Sequence, residues 1–216
     1  MDADTLMRRL TRPPFANVEQ FCGNEENPGR DEVPEWQVFT YRSTTPDQLS
    51  IEEQLEHLIT RSSSILHIGV GNSSLGKRFA PRVEFIRGIT IHDEERMFAN
   101  DLAIVNYIVT TNSKYSANIA SFTEKFDFIV DNNPSTFACC LFHFCTMLIS
   151  YKKLLRDGGE ILTAEPGLSC EGSTGDPNWS LRWADWAYLG EVLAMPTRRL
   201  TEDVYSMQRR SATMAE

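Results

Sequence analysis

The chain has no uninterrupted apolar run of the roughly 20 residues that crosses a bilayer, so a soluble, cytoplasmic protein without a membrane partner is expected. The opening Met1–Leu10 has no long apolar core after its basic pair, which excludes a secretory signal as the reading of that stretch. Basic residues are also in short supply. Lys plus Arg number 21 against 30 Asp plus Glu, a net charge of −9, and a surface of that sign repels phosphate backbones, so no nucleic-acid partner is expected. Cysteine is too sparse and too unevenly placed for a disulfide framework. There are five, an odd number, and Cys139, Cys140 and Cys145 crowd one apolar segment, Phe137–Ile149. Reduced, buried thiols are expected, with no metal. Cys139 and His143 stand one helical turn apart, but their neighbours are Phe, Leu and Met, and no second ligand pair stands elsewhere at zinc spacing. No internal repeat and no low-complexity tract is present.

What the chain does have is a short apolar run ending abruptly in glycine, Ile65-Leu66-His67-Ile68-Gly69-Val70-Gly71-Asn72-Ser73-Ser74. Gly69 and Gly71 permit a sharp turn and a close approach of backbone to a ligand. Asn72, Ser73 and Ser74 are helix-capping types, so a helix opens there with its free N–H groups toward the turn. Strand, glycine turn and helix make a nucleotide crevice at the carboxyl end of a strand. At 216 residues the chain suits one domain.

Residues 1–49 carry prolines and polar runs with no sustained hydrophobic period, and they read as an arm or lid before a domain spanning 50–216. Ser50 to Glu53 matches a capping box, so a helix is expected from Ser50 to near Arg61, with Glu52, Glu53 and Glu56 on its wet face. Strands are expected at Ser64–Ile68, Val83–Ile91, Tyr107–Thr111, Phe126–Asp131 and Glu160–Ala164. Helices are expected at Leu75–Phe79, Glu94–Asn106, roughly Ser135–Leu155, and Trp179–Leu193. A terminal strand pair follows at Arg198–Thr201 and Val204–Arg210. Apolar strands separated by helices predict an α/β protein, its mainly parallel sheet covered on both faces. The loop Glu165–Asn178 is long enough to carry function. Trp36 and Tyr41 read as core-edge packing or as a lid over the glycine turn. Trp179, Trp183, Trp186 and Tyr188 read as core or as an aromatic wall.

In this order the elements resemble the class I S-adenosylmethionine-dependent methyltransferases. The resemblance covers Ser50 to Arg210. It rests on the glycine turn, the strand Ile86–Ile91 with acids after it, Asn112 after the third strand, Phe126–Asp131, and Leu154-Leu155-Arg156-Asp157-Gly158-Gly159-Glu160. A dinucleotide-binding domain fits less well, because Ser74 stands where that fingerprint wants Gly or Ala.

The resemblance implies a Rossmann-like sandwich with a C-terminal antiparallel strand and S-adenosylmethionine as cofactor. It implies that Gly69 and Gly71, with His67 and Asn72 beside them, line the methionine end. Asp93 or Glu95 would hold the ribose, because Thr90 stands where an acid is usual. Asn112 would meet the adenine, and Asp131 and Asn132 would stand where cofactor and substrate meet, as the catalytic pair. Asp131, His92 and His143 are the candidates if a base is needed. His67 departs from the family, which often has Asp or Glu there. Three functions stay open: methyl transfer to a small molecule; transfer or azetidine closure of the aminobutyrate chain with methylthioadenosine release; and a silent binding module. A homodimer is also left open.

Overall fold

The computed structural model describes residues 1–23, 38–136, 138–168 and 180–211. Trp36, Cys170, Trp179 and most of the loop expected over 165–178 lie outside the described residues. The elements run α1 Ala3–Arg9, α2 Pro46–Leu58, β1 Ser64–Ile68, α3 Ser74–Phe79, β2 Phe85–Thr90, α4 Asp93–Asp101 and β3 Tyr107–Thr111. They continue β4 Phe126–Val130, α5 Leu141–Leu154, β5 Leu155–Ala164, α6 Glu165–Leu168, α7 Trp183–Leu193, β6 Thr197–Arg199 and β7 Val204–Gln208. Among the described residues no helix is long and apolar enough to cross a membrane.

The seven strands form one sheet in the order β3-β2-β1-β4-β5-β7-β6. Pairs among β1 to β5 are parallel, and β7 runs antiparallel between β5 and β6. The expected fold class is therefore the one observed. Chain direction across the sheet reverses between β1 and β4, which places a crevice outside the carboxyl ends of those two strands.

Successive residues of the buried strands feed two cores. Leu66, Ile68, Ile129 and Ile161 join one face with Leu6, Phe144 and Trp186, so α1, α5 and α7 cover it. Ile65, Val130 and Leu162 join the other with Leu55, Phe79 and Ala99, under α2, α3 and α4. Two strand-packing glycines are forced by contact. A Cβ on Gly88 would lie 2.7 Å from Val109 and Val70, and one on Gly76 would enter the Tyr107 ring at 2.3 Å.

Four expectations are refined by the structure. The first is the arm, which has no sustained hydrophobic period and nevertheless packs on the domain through a short helix. Asp2 caps α1 by accepting from the Thr5 N–H at 2.8 Å, and Leu6, Leu10, Phe15 and Val18 are buried against α5, with Phe15 stacked on Phe144. Burial of such side chains is worth roughly 1.5–3 kcal/mol each, which is what orders a helix too short to stand alone.

The second is the start of α2, at Pro46 rather than after Ser50, so the helix straddles the boundary at 49/50. Proline in the first helical position has its ring angle already set for the helix. The third is Glu52, which is buried rather than wet and accepts from Gln48 at 3.2 Å and from the Ser74 hydroxyl at 3.1 Å. The fourth is the start of α5, at Leu141 rather than near Ser135.

Candidate functional site

The crevice is built first from the turn after β1. Gly69 and Gly71 have φ of +68° and +49°, and Ser73 is left-handed at +61°. Gly69 donates its N–H to the Ile89 carbonyl at 2.8 Å, tying the turn to β2. A Cβ on Gly69 would meet nothing within 4 Å, so the backbone there borders open space. A Cβ on Gly71 would lie 3.3 Å from Phe39 Cβ, so the arm covers that part of the turn.

Asn72 is committed to holding this arm. Its Nδ2 donates to the Arg42 carbonyl at 2.9 Å and to Thr44 at 3.0 Å, while its Oδ1 accepts the Ser74 N–H. Its side chain serves as cap and tether. Tyr41 is 84% exposed and touches Phe98 edge-on, so it does not pack on the core edge.

The end of β2 separates the two acids. Asp93 is turned outward. One of its carboxylate oxygens accepts from Thr111 at 2.6 Å and from Arg96 at 3.0 Å, and these bonds hold its carboxyl below the ordinary range. Glu95 is buried, accepting the Thr90 hydroxyl at 2.6 Å and the Phe39 N–H at 3.0 Å. The Glu95 carboxylate thus stands beside the end of β2. Thr90 orients it.

His67 lies near the end of β1, opposite Gly88 and Val130. It is buried, and with no counter-charge to offset the loss of water its imidazole is pushed down to about 3, so it is neutral at physiological pH. Among the described residues its Nδ1 has no hydrogen-bond partner, and neither does the buried Thr40 Oγ1. Buried polar atoms without partners are costly, and such atoms beside a crevice mark where a polar ligand group fits.

The β4 end is a closed network. Asp131 is fully buried, and its carboxylate accepts from Lys114 at 3.2 and 3.3 Å, from the Tyr151 hydroxyl at 2.8 Å and from the Asn133 N–H at 3.3 Å. Lys114 also donates to the Asn133 carbonyl at 2.6 Å, and Tyr115 donates to the Pro134 and Thr136 carbonyls. Both oxygens of Asp131 thus accept hydrogen bonds beneath the loop that follows β4.

Asn132 donates to Asp47 at 2.8 Å, linking β4 to α2. A Cβ on Gly167 would fall 1.6 Å from the Asn132 carbonyl, so only glycine lets α6 close on this loop. Asn112 is half-buried after β3, where its N–H donates to the Thr90 carbonyl at 2.8 Å.

Of the aromatic wall, Trp186 is core and Trp183 packs on Tyr205 at 4.8 Å. A depression of about 250 Å³ lined by Leu58, Ser63, Asp127 and Gly158 lies at the amino ends of the strands, away from this chemistry.

The expectation of buried core thiols fails at two positions. Cys22 is exposed and Cys139 is half-buried, and neither Cys139 nor Cys140 is on a helix. Cys22 and Cys139 lie 117 residues apart in the chain, so no local spacing pattern marks them as neighbours.

No protein-family model matches the chain, and no curated protein matches it in sequence. Solved structures do match. The N-methyltransferase NodS from Bradyrhizobium japonicum, bound to S-adenosyl-L-homocysteine, is 15% identical with a TM-score of 0.55, covering 84% of this chain and 94% of its own. The amino pentose methyltransferase CalS10 from Micromonospora echinaspora, bound to S-adenosylmethionine, is 10% identical at TM-score 0.57, covering 74% and 89%. An rRNA methylase from Streptococcus thermophilus is 11% identical at TM-score 0.50, covering 78% and 98%. The chain has the Rossmann-like fold of the class I S-adenosylmethionine-dependent methyltransferases.

Proposed function

We propose that this protein is an S-adenosylmethionine-dependent transferase that methylates a small molecule. The observation that carries the reading is the carboxyl end of β1 and β2. There Gly69 borders open space, His67 offers an unpartnered Nδ1, and Glu95 presents a carboxylate held by Thr90. These residues fit a ligand with a polar amino-acid end and a ribose, which is what the cofactor has.

In this reading Gly69 and His67 border the methionine end. Glu95 takes the ribose hydroxyls, since one carboxylate accepts two hydrogen bonds at once. Its Oε1 gives up the Phe39 N–H when a ribose hydroxyl arrives, so the stretch around Phe39 adjusts on binding. Asn112 stands on the adenine side. The Asp131 network holds Asn132 and Asn133 at the substrate side, so Asp131 is a positioning residue.

The bound cofactor supplies an already activated methyl group, and the protein's contribution is placing an acceptor in line with it. Asp131 is enclosed and His143 sits among the cysteines, so of the three candidate bases His92 is left, its Nε2 buried and without a partner among the described residues. The acidic net charge of −9 supports a small acceptor over a nucleic acid.

The test is mass-spectrometric product analysis with S-adenosylmethionine and a pool of small-molecule amines, alcohols and sugars. S-adenosylhomocysteine with a methylated acceptor supports the proposal. Methylthioadenosine would assign attack at the aminobutyrate carbon instead, for which the neutral His67 in place of an acid is the motivating residue. Binding without any product would leave a binding module.

A further inference from the structure

Cys22, Cys139, Cys140 and His143 bring their four ligand atoms within 4.8 Å of one another. Sγ of Cys22 lies 3.7 Å from Sγ of Cys139 and 3.4 Å from Nδ1 of His143. That same Nδ1 lies 3.3 Å from Sγ of Cys139 and 3.2 Å from Sγ of Cys140. A tetrahedral zinc ion with Zn–S of about 2.3 Å and Zn–N of about 2.0–2.1 Å sets its ligands ~3.8 Å apart for sulfur pairs and ~3.5 Å apart for sulfur and nitrogen. These four separations match the corresponding edges of that polyhedron to within a few tenths of an ångström, and the other two sulfur pairs lie within 4.8 Å. They do not match a disulfide, whose sulfurs are about 2.05 Å apart.

We propose that these four side chains form a structural zinc site, three thiolates and one imidazole, that fastens the N-terminal segment to the start of α5. Two features of the surroundings support it. The segment is already docked there by backbone, because Leu141 and Phe142 donate their N–H groups to the Glu19 and Gln20 carbonyls at 2.7 and 3.1 Å. These bonds set Cys22 beside Cys139 and Cys140 before any ion arrives. An apolar shell then surrounds the cluster. Phe21 meets Phe142 edge-on at 5.5 Å and His143 at 6.1 Å, and Phe142 meets His143 at 5.4 Å.

The coordination chemistry is balanced. Three thiols lose their protons to solvent as the ion binds, and His143 ligates through Nδ1 as the tautomer carrying its proton on Nε2. The resulting charge of −1 sits at the amino end of α5, where the helix dipole favours it. Four protein ligands leave no open position, so the ion is structural, not catalytic. Its place in the fold is consequential. Cys22 lies on the N-terminal segment, and Cys139 and Cys140 stand immediately before α5, so one ion would fasten that segment to the amino end of α5.

The test uses the full chain purified under reducing conditions. Elemental analysis should find about one zinc per chain, and chelation followed by cobalt titration should give thiolate charge-transfer and intense tetrahedral visible bands. Cys22→Ser, on an exposed position, should weaken zinc affinity by more than about tenfold while far-UV circular dichroism stays unchanged. Cys145→Ala should keep the metal. A chain that purifies without zinc and shows no cobalt–thiolate bands would overturn the proposal. So would a Cys22–Cys139 disulfide, or a Cys22→Ser variant that binds zinc like the wild type.

Discussion

Glu95 and Phe39 are joined by a 3.0 Å hydrogen bond from the Phe39 N–H to Oε1, so the carboxylate that follows β2 holds the segment that covers the glycine turn. The same carboxylate is fixed on its other side by Thr90 at 2.6 Å. This pairing distinguishes two acids that are equivalent in sequence. Glu95→Gln should weaken S-adenosylmethionine binding by about tenfold or more, from loss of a charge-assisted bond. Asp93→Ala should leave it within about twofold, because among the described residues Asp93 bonds Arg96 and Thr111 on the outer side. Titration calorimetry on both variants decides between them.

Gly69 is a sharper probe of the crevice than Gly71, whose added Cβ meets the arm at 3.3 Å. Gly69→Ala should cost about 1–2 kcal/mol of stability from the positive φ alone. It should also abolish measurable cofactor affinity, because the new methyl occupies the open space at the turn. Urea denaturation and calorimetry on the same preparation separate the two effects.

Lys114 and Asp131 form a buried pair, with side chains 11% and 0% exposed. Lys114→Met strands a carboxylate and should cost about 3–5 kcal/mol by urea denaturation. Asp131→Asn should cost less, since the amide oxygen still accepts from Tyr151 and Lys114 retains the Asn133 carbonyl. The double variant should recover part of the Lys114→Met loss.

His67 makes stability pH-dependent in a stated window. Its folded pKa is depressed from 6.5 to about 3, so below pH 6.5 the unfolded chain binds a proton that the folded one refuses. Stability from this residue is therefore complete above 6.5 and falls by up to about 1.4 kcal/mol per pH unit toward 3. His67→Gln should flatten that part of a stability-against-pH curve measured by urea denaturation, and a slope unchanged between pH 6.5 and 5 would contradict the assignment.

Much of the sheet was readable along the chain, because buried parallel strands are short apolar runs between glycine and polar breaks. Ser64–Ile68, buried at all five residues and running straight into Gly69, shows this. Errors arose where the deciding partner is remote. The amino end of α5 is capped by carbonyls of Glu19 and Gln20, so no local pattern marks Leu141 as its start. The Ser50–Glu53 pattern imitates a cap inside a helix that Thr45 and Pro46 begin. Glu52 reads as a solvated acid until Ser74 and Gln48 are seen around it, and burial raises its carboxyl above the ordinary range. At the crevice, the glycine turn and the acids after β2 were legible as types. Which acid turns inward, that Asn72 holds the arm, and that Asp131 is enclosed all depend on contacts between distant segments.

The central question is whether this crevice takes S-adenosylmethionine. Titration calorimetry of the full chain should show saturable binding with S-adenosylmethionine and S-adenosylhomocysteine competing for one site, lost in Gly69→Ala and weakened in Glu95→Gln. A folded wild-type chain that gives no heat with either molecule would contradict this role of the crevice, as would binding that both substitutions leave unchanged.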